Sequence, residues 1–465
     1  MTERPLAPSS VAAYFAYDVA VKRLLAEFEA LSPDTPVRLA KSTSNLFRAR
    51  DASSSPGLDV SAFSGVLRVD VETRTADVLG MTTYEELVDA TLRYGLMPLV
   101  VPELKTITLG GAVTGMGIES TSFRNGCPHE SVLDFDVLTG DGRVLTVTPD
   151  GEHADLFTGF PNSYGTLGYA LRLRIELQPV KPFVALEHYV LSSAQEAAET
   201  IDQISVTGDH RGRFVDFLDG VVFEPDRIVI TVGRFVDEAP YLSDYTRRRI
   251  YYRSLEQRSS DYLTVRDYIW RWDTDWFWCS RALGLQNPLV RPLLPRRLLR
   301  SDVYWKVVGF ERRHGWKQAI DRRRGGVPRE PVIQDVEVPA SRLAEFLEFF
   351  DAEIGIKPVW LCPLRQGTPD VTWDLYALDP GMTYVNLGFW SSVEEKPGQR
   401  EGHHNRLIEE KVTELGGRKS LYSSSFYEED DFWRTYNGSQ YQLLKKQYDS
   451  GSRLLDLYAK CVRGR

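Results

Sequence analysis

Cysteine is scarce in this chain of 465 residues, and closely spaced pairs of cysteines are missing with it. The four cysteines are far apart and form no Cys-x-x-Cys pair: Cys127, Cys279, Cys362 and Cys461. Structural zinc sites and disulfide frameworks both require closely or regularly spaced thiols. We therefore expect no metal site, no disulfide framework and a reducing compartment.

Long apolar runs and an excess of positive charge are also absent. No uninterrupted hydrophobic stretch approaches the length of a membrane-spanning helix, and the start, MTERPLAPSS, lacks the apolar core of a secretory signal. The formal net charge of -9 argues against nucleic acid as the main partner. We expect a cytoplasmic protein that contacts a membrane only peripherally, at its inner face.

A glycine-rich stretch, VPELKTITLGGAVTGMGIESTSFRNG, occupies residues 101–126. Glycine loses the most backbone entropy on folding, so a cluster of glycines favours a place where backbone passes close to another group. N–H groups on a concave run of small residues suit a phosphate or pyrophosphate. Glycine turns also join strands in ordinary β domains, so the stretch alone leaves both interpretations open.

Regular elements surround this stretch in a mixed order. Apolar spacing predicts a helix over residues 11–31, and Thr83-x-x-Glu86 is a capping box that begins a second helix. Strict alternation of apolar and polar residues over 169–177 predicts a half-buried strand. Gln178-Pro179-Val180-Lys181-Pro182 is typical of a domain boundary, so the residues before it form an α+β unit.

A Rossmann dinucleotide site is one interpretation of Gly115-Met116-Gly117. The third glycine of that motif is missing, and Pro102 interrupts the preceding segment. The sequence therefore argues against a Rossmann site.

The order of features resembles instead the FAD-binding domain of the vanillyl-alcohol-oxidase (PCMH-type) family. A hydroxyl-rich loop follows a strand, and then come a capped helix, the glycine-rich stretch, an Asp-Gly hairpin and a closing glycine turn. Four motifs resemble the sterol side-chain (24-dehydrocholesterol) reductase branch of that family: VPELKTITLGGAVTGMGIESTSFRNG, DLFTGFPNSYGTLGY, PVWLCPLR and FYEEDDFWRTYNGSQYQLLKKQY.

This resemblance runs from about Pro36 to the C-terminus. It extends to bacterial flavoproteins that reduce a 10-methylene group of a phospholipid acyl chain to a methyl branch, as in the tuberculostearate pathway. Eukaryotic members of the sterol branch carry an N-terminal membrane anchor, which we expect this chain to lack.

The resemblance implies that FAD is held by three segments. The first contributes Lys41, Ser42, Thr43, Ser44 and Asn45. The second contributes Thr106, Thr108, Gly110, Gly111, Gly115, Gly117, Ile118, Ser120 and Gly126, and the third contributes Gly165, Leu167 and Gly168. Many members attach FAD through a His in the first loop or a Cys just before the paired glycines. Neither residue type stands at those places, so we expect non-covalent FAD.

The implied reaction is the NAD(P)H-driven reduction of an isolated C=C bond in a lipid. Such an alkene has no carbonyl to polarise, so catalysis depends largely on an acid near the carbon that receives the proton. Glu119 is the candidate, because a carboxyl in an apolar pocket tends to stay protonated, although a structural Glu is equally compatible. Tyr384 and Asn386, on one face of a strand, are further catalytic candidates, and core packing also explains them.

Four tryptophans precede a strongly basic stretch. They are Trp270, Trp272, Trp276 and Trp278. Residues 281–329 then contain 13 Lys and Arg against three acids, a net charge of +10. Aromatic and cationic residues together are typical of surfaces that rest on anionic headgroups, while core packing and a solvated face are the alternatives. We expect this segment to dock onto a membrane or an acyl chain.

The predicted architecture is α+β with three parts. A PCMH-type two-subdomain FAD-binding domain covers residues 1–182, an antiparallel-sheet substrate (cap) domain covers 183–418, and C-terminal helices over 419–465 return to the FAD domain. The alternatives are an FAD-dependent oxidase or dehydrogenase of an alcohol or sugar, and a flavin-free lipid-binding protein. The reduced double bond, NADH versus NADPH, and the formation of a homo-oligomer stay open.

Overall fold

The computed structural model describes residues 8–41, 47–48, 57–304, 306–307 and 327–464. Four predicted cofactor residues, Ser42, Thr43, Ser44 and Asn45, lie outside the described residues, as does much of the basic stretch.

The strands fall into two large sheets and two short pairs. In chain order they are β1 Leu39–Ala40, β2 Leu58–Asp59, β3 Val66–Asp70, β4 Thr75–Leu79, β5 Leu96–Pro98, β6 Val132–Leu138, β7 Val144–Val147, β8 Tyr169–Pro179, β9 Phe183–Leu191, β10 Asp209–His210, β11 Arg213–Phe214, β12 Phe217–Glu224, β13 Arg227–Val236, β14 Ser260–Thr264, β15 Arg329–Pro339, β16 Val359–Leu364, β17 Tyr384–Glu394 and β18 Arg418–Lys419.

The helices are mostly short. They are α1 Pro8–Glu29, α2 Tyr84–Thr91, α3 Leu109–Gly115, α4 Ser122–Asn125, α5 Ala154–Gly159, α6 Ala194–Thr207, α7 Tyr251–Ser254, α8 Val265–Ile269, α9 Leu343–Glu353, α10 His403–Glu414, α11 Glu429–Thr435, α12 Gly438–Tyr448 and α13 Leu457–Cys461. Among the described helices, none combines the length and the apolar character that crossing a membrane requires. The mixture of helices and antiparallel sheets confirms the predicted α+β class.

The first large sheet has the order β3-β4-β8-β6-β7, with β5 also paired to β8. Its central strand, β8, alternates as predicted, so that Leu173 and Ile175 are buried in the core. On its other face, the Arg172 guanidinium bonds to Asp77, Asp134 and Asp136 at 2.7 to 2.9 Å. The helix α2 begins at a local sequence signal, the Thr83 capping box, as expected.

The second large sheet has the order β14-β9-β13-β12-β16-β17-β15-β18, and its pairings are antiparallel. Helices α6, α9 and α10 cover one face with side chains such as Ile201, Phe346 and Ile408, which pack on the buried Leu387. The other face turns toward the glycine-rich segment, where the Leu218 N–H donates to the Ser120 carbonyl oxygen at 2.8 Å. The candidate site lies on this second face.

The C-terminal segment packs back onto the first sheet. The Lys445 Nζ donates to the carbonyl oxygens of Thr166 and Leu454, both at 2.8 Å. Residues 432–458, which the sequence predicts to be helical, contain parts of three helices; one break lies at Asn437, which adopts a left-handed conformation (φ 50°) and caps a new helix. Asp449 ends that helix by accepting the N–H groups of Arg453 and Leu454.

Candidate active site

The glycine-rich stretch folds into a short helix followed by an extended segment. Thr108 caps helix α3, its Oγ1 accepting the Gly111 N–H at 3.2 Å, and the Gly110 N–H donates to the Gly80 carbonyl oxygen at 2.9 Å. A Cβ on Gly110 would lie 2.8 Å from that oxygen, so close backbone approach requires glycine. The N–H groups expected to face a phosphate here are therefore used inside the protein. Contact of these two glycines with a cofactor stays a prediction.

The segment after α3 behaves differently. Met116 has a positive φ of 61°, and Gly117 packs so closely that a Cβ there would lie 2.9 Å from Pro102. In the described part of the chain, the N–H groups of Gly117 and Ile118 have no protein acceptor. These three residues form one wall of a pocket, so their free donors are available to a bound molecule.

The pocket has about 740 Å³ of empty space, its open mouth included. Half of its other lining residues are aromatic: Phe47, Trp276, Phe277, Tyr304, Trp360, Trp390 and Tyr422. Its polar residues are few: Glu103, Asp335, Asn386 and Ser420. A concave site with apolar walls and a few polar groups is the usual form of a small-molecule site.

Two acidic residues of the pocket hold their protons more tightly than a free carboxyl does. Burial, and then the negative charges of Glu119 and Asp335, raise the pKa of Glu103 well above its usual value. Burial raises the pKa of Asp335 to about 6, and this carboxylate accepts the Asn386 Nδ2–H at 3.1 Å. The Glu103 Oε1 and the Asn386 Oδ1 are buried and have no hydrogen-bond partner among the residues that the structure describes. The pocket therefore contains polar atoms that a bound molecule can satisfy.

Glu119 is buried beside the pocket and is not among its lining residues. Its Oε1 accepts from Arg271 Nη2 at 2.8 Å, and the same nitrogen donates to Asp219 Oδ2 at 2.8 Å. Ser120 completes the group, donating through both its N–H and its hydroxyl to the other Glu119 oxygen. Burial raises the pKa of Glu119, and the Arg271 charge opposes this. One guanidinium thus serves two carboxyls, and the burial of Glu119 favours retention of its proton.

The two other catalytic candidates, Asn386 and Tyr384, differ in whether they line the pocket. Asn386 lines the pocket, whereas the buried Tyr384 does not and its hydroxyl accepts the Asp379 N–H at 3.3 Å. Cys279, which sequence reasoning set aside, also lines the pocket, and burial raises the pKa of its thiol to about 12. A neutral thiol is a weak nucleophile, so Cys279 does not alter the expectation of non-covalent FAD.

Several predicted cofactor residues lie away from the pocket. Gly165, Leu167 and Gly168 form the turn before β8, under the C-terminal segment. Gly126 has a φ of 68° and passes against Glu130, which accepts the Cys127 N–H at 2.9 Å. Lys41 and Thr106 are described and make interactions of their own. A role for these residues in binding a cofactor stays a prediction.

Arg48 and Arg271 are two buried cations that sequence reasoning missed. The Arg48 Nη1 donates to the Leu421 carbonyl oxygen at 2.7 Å, and its guanidinium lies 4.9 Å from the Tyr164 ring centroid. Tyr164 in turn donates to the Gly115 carbonyl oxygen at 2.5 Å. The sequence feature that could have revealed Arg271 is its position between two tryptophans, because a cation among aromatic residues can be held against their rings.

The four tryptophans are buried, so core packing explains them and direct contact with lipid headgroups does not. Trp272 stacks on Phe277 with ring centroids 4.7 Å apart, and Phe277 lies 4.4 Å from Trp390. The charged residues among them are paired, as in the bidentate bond of Arg291 to Asp275 at 2.6 and 3.1 Å. Residues 270–279, the aromatic segment, therefore contribute to the pocket wall. The burial of the four tryptophans corrects the prediction that they contact a membrane.

The pocket fits a flat, heteroaromatic cofactor of the flavin kind. Aromatic walls suit a planar ring, and three orphaned polar atoms of pocket residues can bond to its edge: Glu103 Oε1, Asn386 Oδ1 and Trp276 Nε1. The N–H groups of Gly117 and Ile118, which have no acceptor among the described residues, add donors along their own part of the wall. These residues would hold the ring, and none of them offers a reactive nucleophile.

Comparison with known proteins points to the same cofactor. Residues 21–148 match the model of an FAD binding domain. The chain is 25% identical over 456 residues to the Delta(24)-sterol reductase of Arabidopsis thaliana, covering 88% of this chain and 77% of that protein. The human Delta(24)-sterol reductase is 24% identical over 431 residues, with 86% and 76% covered. Cytokinin dehydrogenase 2 of Oryza sativa is 30% identical over 163 residues, covering 34% of this chain and 28% of that protein.

Fold, pocket and domain match together support the class of FAD-binding oxidoreductases with a PCMH-type domain, which residues 21–148 match. Within that class the chain is similar to Delta(24)-sterol reductases over most of its length, which confirms the resemblance predicted from its motifs.

Proposed function

We propose that the protein uses FAD to reduce an isolated C=C bond in a lipid, with NAD(P)H as the electron donor. The substrate is the methylene group of a 10-methylene fatty acyl chain or the side-chain alkene of a sterol. The observation that carries this proposal is the aromatic pocket with protonatable carboxyls at its wall. The similarity to enzymes named sterol reductases supports it.

The apolar walls account for substrate binding. A hydrocarbon chain or a sterol side chain offers no hydrogen bonds, so its affinity comes from apolar area removed from water. Trp276, Trp360 and Trp390 provide such area on the pocket wall. The same residues exclude water, which keeps the reacting atoms in a medium of low dielectric constant.

The chemistry divides between the cofactor and the protein. FAD, when bound, supplies hydride transfer to one alkene carbon, and the other carbon requires a proton from the protein. Glu103 lines the pocket and Glu119 lies behind it, and the two are close enough for the charge of one to raise the pKa of the other. We assign the proton to this pair: Glu119, fixed by Arg271, either donates directly or sets the protonation of Glu103.

The electron donor shares the pocket in this proposal. Both large sheets are antiparallel in the described residues, and neither offers the parallel nucleotide-binding unit of a second cofactor domain. NAD(P)H and the lipid then occupy the same open face in alternation.

Lipid analysis tests the proposal. Cells with and without the protein should differ in one unsaturated precursor, which accumulates when the protein is missing. Purified protein should then convert that precursor with NADPH or NADH, and a phospholipid with a 10-methylene acyl chain and a sterol with a Δ24 alkene should be compared directly. Failure to reduce either alkene by protein that retains FAD would contradict the proposal.

An FAD-dependent oxidase or dehydrogenase acting on an alcohol or a sugar is the second candidate. The match to a cytokinin dehydrogenase over about a third of the chain favours it for the cofactor domain alone. Bleaching of the flavin absorbance near 450 nm by such a substrate without NAD(P)H would establish this class. Absence of that absorbance in the purified protein would instead indicate a flavin-free lipid-binding protein.

A further inference from the structure

Two leucines protrude from the segment that forms the aromatic wall of the pocket. Leu289 and Leu293 are each 82% exposed. A single exposed leucine needs no explanation, but two almost fully exposed leucines one turn apart form an apolar projection. Val290 and Leu298 beside them are 40% exposed and extend the apolar surface. We name Leu289, Val290, Leu293 and Leu298 the leucine projection.

The projection is held firmly in place from beneath. The buried Arg291, between the two leucines, bonds both Asp275 oxygens and donates from Nε to the Arg247 carbonyl oxygen at 2.7 Å. At the end of the segment, Arg300 forms a bidentate bond to Glu85 at 3.0 and 2.7 Å. A loop fixed at both ends cannot withdraw its leucines from solvent, so their exposure is a feature of the folded protein.

The charge around the projection is positive. Residues 281–300 contain five arginines and no acidic residue, in a protein of net charge -9. Arg291 and Arg300 are used in the bonds that hold the segment, and Arg296 pairs with Asp244 at 2.9 Å. Arg297 is exposed beside Leu298 and makes no such pair with the described residues. Apolar side chains that project from a cationic surface match the interior and the phosphates of an anionic bilayer.

The projection belongs to a stretch of chain whose two ends line the pocket. Trp276, Phe277 and Cys279 line the pocket at the start of the segment, and Tyr304 lines it just beyond the end. If the leucines contact a bilayer, the membrane surface lies against the same chain segment that forms part of the pocket wall.

We propose that Leu289 and Leu293 insert into an anionic phospholipid bilayer, with Arg297 at the phosphate level. This inference goes beyond the proposed function, because binding to vesicles needs neither substrate turnover nor an electron donor. It replaces the buried tryptophans with the leucine projection as the contact surface.

Co-sedimentation of the full-length protein with vesicles tests the inference. Vesicles of phosphatidylcholine alone and of phosphatidylcholine with 30% phosphatidylglycerol serve as the two probes. The variant Leu289→Asp/Leu293→Asp should bind the anionic vesicles about ten- to a hundredfold more weakly, because the bilayer no longer removes the apolar area of two leucines from water. Arg297→Gln should weaken binding about fivefold on anionic vesicles, and little on neutral ones.

The matched control is Leu443→Asp, which changes a leucine that is 64% exposed on α12, away from the projection. It should leave vesicle binding unchanged. All the replaced side chains are exposed, so retention of flavin absorbance and of the unfolding temperature verifies the fold of each variant.

Two results would overturn the inference. The first is equal vesicle binding by wild type and by Leu289→Asp/Leu293→Asp. The second is a wild-type dimer in sedimentation velocity that this double variant dissociates while vesicle binding is unchanged, since the projection would then contact a second copy of the chain. Loss of alkene reduction with vesicle binding intact would count against the proposed function alone.

Discussion

Arg271 and Glu119 are joined by a buried ion pair of 2.8 Å that connects the aromatic segment to the end of the glycine-rich stretch. The guanidinium lies over the Tyr268 ring at 4.1 Å from its centroid and also bonds Asp219. Two parts of the chain separated by about 150 residues therefore meet at one cation.

Removal of this cation should strongly destabilise the protein. Arg271→Met leaves Glu119 and Asp219 buried without a counter-charge, and breaking a buried pair in this way typically costs about 3–5 kcal/mol. Chemical denaturation measured by circular dichroism would give the change in the free energy of unfolding. The triple variant Arg271→Met/Glu119→Gln/Asp219→Asn should recover part of the loss, because no unpaired charge remains. Full stability of Arg271→Met would contradict the assigned role.

Glu119→Gln should separate the two halves of the proposed reaction. Reduction of FAD by NAD(P)H needs no acid at the alkene, so its rate should stay near that of wild type. Reoxidation by the lipid alkene should slow by about two to four orders of magnitude, the usual contribution of general acid catalysis. Stopped-flow absorbance of the flavin measures both steps, and loss of bound FAD would instead place Glu119 in the cofactor site.

Glu103→Gln is the companion experiment. If Glu103 passes the proton to the substrate, its variant should show the same slow reoxidation with normal flavin reduction. Because Glu103 lines the pocket and Glu119 does not, a defect in Glu103→Gln alone would assign the donor to Glu103. Normal reoxidation in both variants would rule out the pair.

FAD should be released entirely by acid precipitation. The described pocket residues include Cys279 as their one thiol, and burial keeps it protonated by raising its pKa to about 12. The first loop has no His or Cys at the positions where many family members attach the cofactor. Absorbance near 450 nm should appear in the supernatant, and yellow colour left in the washed pellet would contradict this prediction.

Stability should depend on pH through Glu337. Burial raises its pKa from 4.5 to about 8, and the Tyr376 hydroxyl donates to its Oε2. A carboxyl with a raised pKa binds more protons when folded, so its stabilising contribution is present below pH 4.5 and is lost as the pH rises to about 8. The slope can reach ~1.4 kcal/mol per pH unit.

The variant Glu337→Gln isolates this effect from other titrating groups. Its unfolding temperature should fall less than that of wild type between pH 5 and pH 8, because glutamine does not ionise. Parallel pH profiles for the two proteins would show that Glu337 does not titrate in this range.

Elements with local causes were predictable from the sequence. The capping box at Thr83, the alternation along β8 and the Asp-Gly hairpin after β6 depend on residues a few positions apart, and the structure contains all three. The break of the C-terminal helix at Asn437 was not predicted, because a left-handed residue inside an apolar pattern leaves little periodic signal.

The site was only partly predictable. The glycine-rich segment does form a pocket wall, but the N–H groups of Gly110 and Gly111 are taken by Gly80 and Thr108. Those acceptors are supplied by tertiary packing and capping that glycine spacing does not reveal. Glu103 was not predicted for a related reason: Asp335 and Asn386, which line the pocket with it, lie more than 200 residues further along the chain.

The return of the C-terminal segment has a consequence for the biosynthesis of the protein. The Val37 N–H donates to the Arg453 carbonyl oxygen, and the Lys460 Nζ donates to the Tyr164 carbonyl oxygen. The N-terminal unit is thus fastened by residues that are synthesised after the whole second large sheet. These contacts can form only once that sheet has left the ribosome, so the unit reaches its final packing late in synthesis.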